Sequence, residues 1–142
     1  MKRFLFVALV LCLGFVGCDK YDNSENPKES IVGKWYLANE KGYYFDMAVE
    51  RVDYDDSYSK EETWLLWEFS AGKTGILTNL ERPERPFTTP VSWTVNGNKL
   101  IVNNNPSQSI IIKNVTATTL VTYRSEIDEN GEWEDTTTFR KL

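Results

Sequence analysis

From residue 31 onward, apolar and polar positions alternate in short runs separated by Gly, Asn and Pro, the period-two pattern of half-buried strands. Eight strands are predicted: Val32–Asn39, Thr63–Ala71, Thr74–Leu80, Pro90–Asn96, Lys99–Asn103, Ser107–Val115, Thr118–Ser125 and Glu132–Arg140. On the second, alternation puts Leu65, Trp67 and Phe69 on one face and Trp64, Leu66 and Glu68 on the other. Asn96-Gly97 in "VNGNKL" is a strong hairpin signal because both residues tolerate positive φ, and it pairs Trp93 and Val95 with Leu100 and Val102. "SAGKTG" and "NVTATT" are also tight turns, whereas residues 40–62, 81–89, 104–106 and 126–131 are longer connections. Short and long alternate, so an antiparallel meander gathers the tight turns at one end and the longer loops at the other. Eight strands can close into a barrel that is filled by side chains or holds one small ligand. A flattened sandwich is the alternative this pattern leaves open.

The first thirty residues follow another pattern. Met1-Lys2-Arg3 supplies positive charge and Phe4 to Val16 is an apolar run, shorter than the roughly 20 residues that span a bilayer. This pattern predicts a secretory signal. Its end, "FVGC", resembles the lipobox of bacterial lipoproteins, in which a small residue precedes a cysteine that is lipidated before cleavage; Phe15 stands where an aliphatic residue is usual. The resemblance implies cleavage between Gly17 and Cys18, with Cys18 lipidated and holding the protein to a membrane. The organisation expected is a signal peptide over residues 1–17, a polar tether over 18–30 and one domain over 31–142. The localisation expected is the cell envelope, at the outer membrane. The twelve residues "DKYDNSENPKES" reach about 40 Å when extended. Loss of Cys12 with the signal leaves one cysteine, so no intrachain disulfide forms.

The chain has no histidine, which excludes Ser-His and Cys-His nucleophiles and histidine-ligated zinc. A formal charge of −5 argues against a broad nucleic-acid surface. "YYFDMAVERVDYDDSYSKEE", Tyr43 to Glu62, concentrates seven acids, two bases and four tyrosines in the first long connection. Asp53, Asp55 and Asp56 offer the hard oxygens calcium prefers, but no glycine stands at the sixth position and the twelfth is Trp64. A solvated acidic loop or amphipathic flap is expected there, with no metal and no cofactor. "EIDENGEWED" adds six acids around Asn130-Gly131, first of all a hairpin turn. Both clusters fall at the long-loop end, where the field disfavours anionic ligands. Most tryptophans are expected in the core. Trp64, opposite Trp67 in the alternation, is the candidate contact for a ligand or partner, together with Tyr54 and Tyr58.

"IVGKWY" carries Gly-x-Trp at Gly33 and Trp35, and "TTTFRKL" ends the last strand with Arg140. With the lipobox and the strand count, these resemble the lipocalins, and the intermediate stretches look like the lipocalin-like domains of bacterial lipoproteins. The resemblance implies an all-β, eight-stranded, antiparallel up-and-down barrel in which Arg140 packs across Trp35 and closes first strand to last. It also implies a small apolar or amphiphilic ligand in the barrel and no enzymatic activity. The alternative is an interaction protein that binds another polypeptide through its acidic long loops around a filled core. Ile31 and Arg140 both fall at the tight-turn end, so the tether is expected to attach there, with the acidic end pointing away from the membrane.

Overall fold

The computed structural model of the protein describes residues 31–46, 50–128 and 131–142. The expected signal peptide and tether, with Gly17 and Cys18, lie outside the described residues. Nine strands follow one another: β1 (Gly33–Asp46), β2 (Glu50–Ser57), β3 (Leu65–Phe69), β4 (Thr74–Asn79), β5 (Phe87–Asn96), β6 (Lys99–Val102), β7 (Ile110–Val115), β8 (Thr119–Asp128) and β9 (Gly131–Lys141). One short 3₁₀ turn, Pro106–Gln108, precedes β7. The sheet is antiparallel throughout, in the order β2-β1-β3-β4-β5-β6-β7-β8-β9, and it closes on itself through β1 and β9. Closure excludes the sandwich.

The extra strand corrects the reading of residues 40–62 as a loop or flap. β1 runs on to Asp46 and β2 returns beside it, pairing Asn39 with Ser57 through Asp46 with Glu50. β3 then pairs with the start of β1, from Gly33↔Phe69 to Tyr36↔Leu66. The other edge of β1 is taken by β9, so β2 and β3 share one edge end to end, and nine strands fill eight positions of the barrel. β-branched and aromatic residues explain the strands: Tyr43, Tyr44, Phe45, Val52 and Tyr54 fit a pleated surface, and Glu50 and Asp53 occupy exposed positions. β8 and β9 likewise continue to Asp128↔Gly131. Together β2, β1, β9 and β8 make one side of the barrel taller than the rest.

The core fills the end where the tight turns lie. Trp35, Phe69, Phe139, Leu37, Leu100 and Leu120 are fully buried, and Trp67, Trp93 and Val95 nearly so. Trp67 stacks on Phe139 at 4.2 Å between ring centroids, while Phe69 meets Trp67 and Trp93 edge-on at 5.7 Å. Two of the three buried tryptophans donate to backbone carbonyls, Trp35 to Ile31 at 2.8 Å and Trp93 to Thr74 at 3.0 Å. Trp93 faces Val102 and Val95 faces Leu100, the pairing expected from the hairpin. Of its two loop residues, Gly97 and Asn98, only Gly97 takes positive φ, at 59°. Ile31 is buried at this end, so the chain enters the barrel beside the tight turns.

The closure by Arg140 is corrected. Arg140 is exposed and lies opposite Tyr36, because alternation along β9 turns Phe139 and Lys141 to the Trp35 face and Arg140 away. The cation over Trp35 is Lys141, its Nζ 5.1 Å from the ring centroid and its Cα paired directly with that of Trp35. Gly33 makes room for this contact. Its φ is +140°, and a Cβ there would stand 2.6 Å from Lys141 Cε.

Candidate functional site

Above the aromatic stack the tall side of the barrel changes character, and the change begins at Ala38. The register between β1 and β9 slips between Leu37 and Asn39, leaving Ala38 without a Cα partner on β9. Such a bulge adds one residue to one strand and inverts the alternation beyond it. Trp35 and Leu37 face the core below; above, Glu40, Gly42 and Tyr44 share the inward face and Asn39, Lys41 and Tyr43 the outer one. The carbonyl of Ala38 accepts the Tyr58 N–H at 2.9 Å, which fixes the chain leaving β2.

Tyr58 and Trp64 flank the segment between β2 and β3, and both reach the same oxygen. Tyr58 Oη donates to Glu40 Oε1 at 2.6 Å and Trp64 Nε1 donates to it at 3.3 Å. Both rings also pack against the edge of the apolar core. Burial first, and then the hydrogen bond to Glu40, push the Tyr58 phenol up to about 12. A phenol so placed stays a donor.

Beside this group Tyr54 lies across Gly42 to reach β9. Its hydroxyl donates to Asp135 Oδ1 at 3.2 Å, and a Cβ on Gly42 would collide with the Glu134 carbonyl and come within 2.8 Å of that hydroxyl. Asp135 is 6% exposed and fully engaged: Thr137 Oγ1 donates to Oδ2 at 2.7 Å and Arg124 Nη2 at 3.4 Å. Arg124 in turn lies over Trp133, 5.5 Å from its ring. Burial, followed by the charge of Asp135, raises the Tyr54 phenol above its ordinary value. The three residues singled out from the sequence, Trp64, Tyr54 and Tyr58, thus stand together on one side of the interior. They are joined by Glu40 and Asp135, which the sequence pattern does not single out.

The three aspartates considered for calcium are spread over two faces of β2. Asp53 pairs with Arg51 at 2.9 Å and Asp55 with Lys41 at 2.8 Å on the outer face, while Asp56 shares the face of Tyr54. Among the described residues no group of three acidic or sulfur ligands converges on a point.

No family model and no curated protein matches the chain. Solved structures do. A lipocalin-like protein from Bacteroides uniformis superposes with a TM-score of 0.51 at 12% identity, covering 80% of this chain and 99% of that one. The fold is lipocalin-like. An uncharacterised protein from Bacteroides eggerthii gives 0.49 at 10% identity over 78% of this chain and 98% of its own, and the odorant-binding protein of bovine nasal mucosa gives 0.46 at 17% over 83% and 74%. In this lipocalin-like barrel the interior has two zones. The lower one is apolar and aromatic; the upper one carries phenols, an indole N–H and two carboxylates. A molecule that entered from the long-loop end would meet hydrogen-bonding groups first and ring faces beneath them.

Proposed function

We propose that the protein binds a small amphiphilic molecule at the long-loop end of the barrel, without catalysis, while held to a membrane through Cys18. The observation that carries the binding reading is the boundary inside the barrel between the stack of Trp67, Phe139, Phe69 and Trp93 and the polar group of Glu40, Tyr58, Trp64, Tyr54 and Asp135. An apolar tail gains from contact with the former, and a polar head finds acceptors and donors in the latter. Because aromatic rings fill the lower half, the ligand is confined to the upper half. Tyr54 donates to Asp135 and Tyr58 to Glu40, and burial raises both phenols above their ordinary value.

Mass spectrometry of molecules co-purifying with the full chain tests this reading. Enrichment of one amphiphile over a control prepared with Trp64→Ala supports it, and an identical background in both overturns it. A second reading has its own observation. Ile127, 78% exposed near the tip of the tall side, suits a polypeptide partner better than a small ligand. Membrane attachment is tested apart from both: Cys18→Ser is expected to move the protein from the membrane pellet to the soluble fraction, and a variant that still sediments removes the anchor.

A further inference from the structure

We propose that the upper zone selects an organic cation, with Glu40 as the counter-charge to an ammonium head and the rings of Tyr54, Tyr58 and Trp64 around it. This rests on the ligand-binding reading and adds the charge and chemical class of the ligand. Among the described residues the ion pairs are Lys34–Glu68, Lys41–Asp55, Arg51–Asp53 and Arg124–Asp135. Glu40 is in none of them, although it faces inward and lies half-buried. Its two hydrogen bonds both come from neutral donors and both fall on Oε1, so its negative charge is solvated at one oxygen and met by no cation. A half-buried charge without a partner is costly to keep.

The surroundings set the sign of the missing partner. Asp56 stands on the same face of β2, opposite Glu40, and Glu40 also acts on Tyr54 across the zone. Arg124, the inward cation of the tall side, is held by Asp135 and by the Trp133 ring. In the neighbouring loop Arg82 and Arg85 are exposed and interleaved with Glu81 and Glu84, so that loop adds no net positive charge. An anionic head would face Glu40 and Asp56 together. An ammonium would meet the carboxylates of Glu40 and Asp56 with the opposite sign of charge. The alkyl part would then lie toward Leu65 and Trp67, which share the inward face of β3.

The alternative role for Glu40 is to pin Tyr58 and Trp64 and nothing more. Glu40→Gln separates the two, since the amide oxygen still accepts both donors while the charge is gone. Binding of decyltrimethylammonium, decanol and decyl sulfate to the full chain, each below its micellar concentration, is read by tryptophan fluorescence and calorimetry. The ammonium is expected to bind about tenfold or more tighter than decanol, with decyl sulfate weaker than both. In Glu40→Gln the preference for the ammonium over decanol is expected to disappear. Equal affinity for the ammonium and decanol, or a preference that survives in Glu40→Gln, overturns the inference and leaves the ligand-binding reading standing. Binding of none of the three overturns both.

Discussion

The lower half of β1 and its upper half lie on one continuous strand yet answer to different physics. From Gly33 to Leu37 the inward residues are Trp35 and Leu37, fully buried among rings with no unmet polar atom. From Glu40 to Tyr44 they are a carboxylate, a glycine and a tyrosine, on a stretch paired with β2 and β9 and tied through Glu40 to Tyr58 and Trp64. Burial of apolar area dominates the first region, where a buried aromatic side chain can contribute several kcal/mol. The second holds its form through directional contacts worth about 1 kcal/mol each. Stability is concentrated where there is no chemistry, and the candidate chemistry stands where the fold can tolerate change.

Substitutions on either side of this divide should differ in size and in kind. Phe139→Ala removes the ring stacked on Trp67 and is expected to cost about 3–5 kcal/mol, read from urea unfolding. A loss below about 1 kcal/mol would mean the lower half is not the stabilising region. Gly42→Ala forces a methyl against the Glu134 carbonyl, with an expected cost of about 1–3 kcal/mol. Hydrogen exchange should then accelerate in β9 near Glu134 and Asp135 while amides around Phe139 keep their protection; uniform acceleration would erase the distinction between the halves.

The tyrosines give the upper half a pH dependence of its own. An ordinary phenol loses its proton near 10, whereas Tyr58 in the fold keeps it to about 12, and Tyr54 is raised in the same direction. Between these values the unfolded chain releases protons the folded chain retains, so the contribution is complete below pH 10 and is lost as pH rises toward 12. Tyr58→Phe should cost about 1 kcal/mol at neutral pH and make the alkaline decline shallower. An unchanged alkaline slope in this variant would show that Tyr58 does not titrate with folding. At the small end, Lys41→Gln breaks an exposed pair with Asp55 on the outer face and should leave the urea midpoint where it is.

Much of the lower half is legible in the sequence because there alternation is unbroken. Trp67 and Phe69 fall on one face and Trp93 and Val95 pair with Val102 and Leu100, as a simple period of two requires. The end of β9 was harder: Arg140 matches a family position, but parity gives the place over Trp35 to Lys141. In the upper half the high density of acids disguises β2 as a loop, although Val52 and Tyr54 already favour a strand. Glu40 was hidden for a sharper reason. Counting by twos from Trp35 puts Asn39 inward and Glu40 outward, and only the unpaired Ala38 reverses them. Asp135 was submerged in an acidic stretch whose neighbours are solvated; nothing in "GEWED" tells which acid meets Thr137 and Arg124.

Ala38 therefore acts as a phase boundary within a single strand. One unpaired residue lets the sequence before it and the sequence after it vary under separate constraints, since a change of lining above need not be compatible with the packing below. Side chains from Glu40 to Tyr44 are free of the packing that holds Trp35 and Leu37. Deleting that one residue would leave Leu37 opposite Phe139 and Glu40 opposite Thr137 in an unbroken alternation, so the upper lining would keep its inward face while the bulge, and with it the Ala38 carbonyl that accepts the Tyr58 N–H, would be lost.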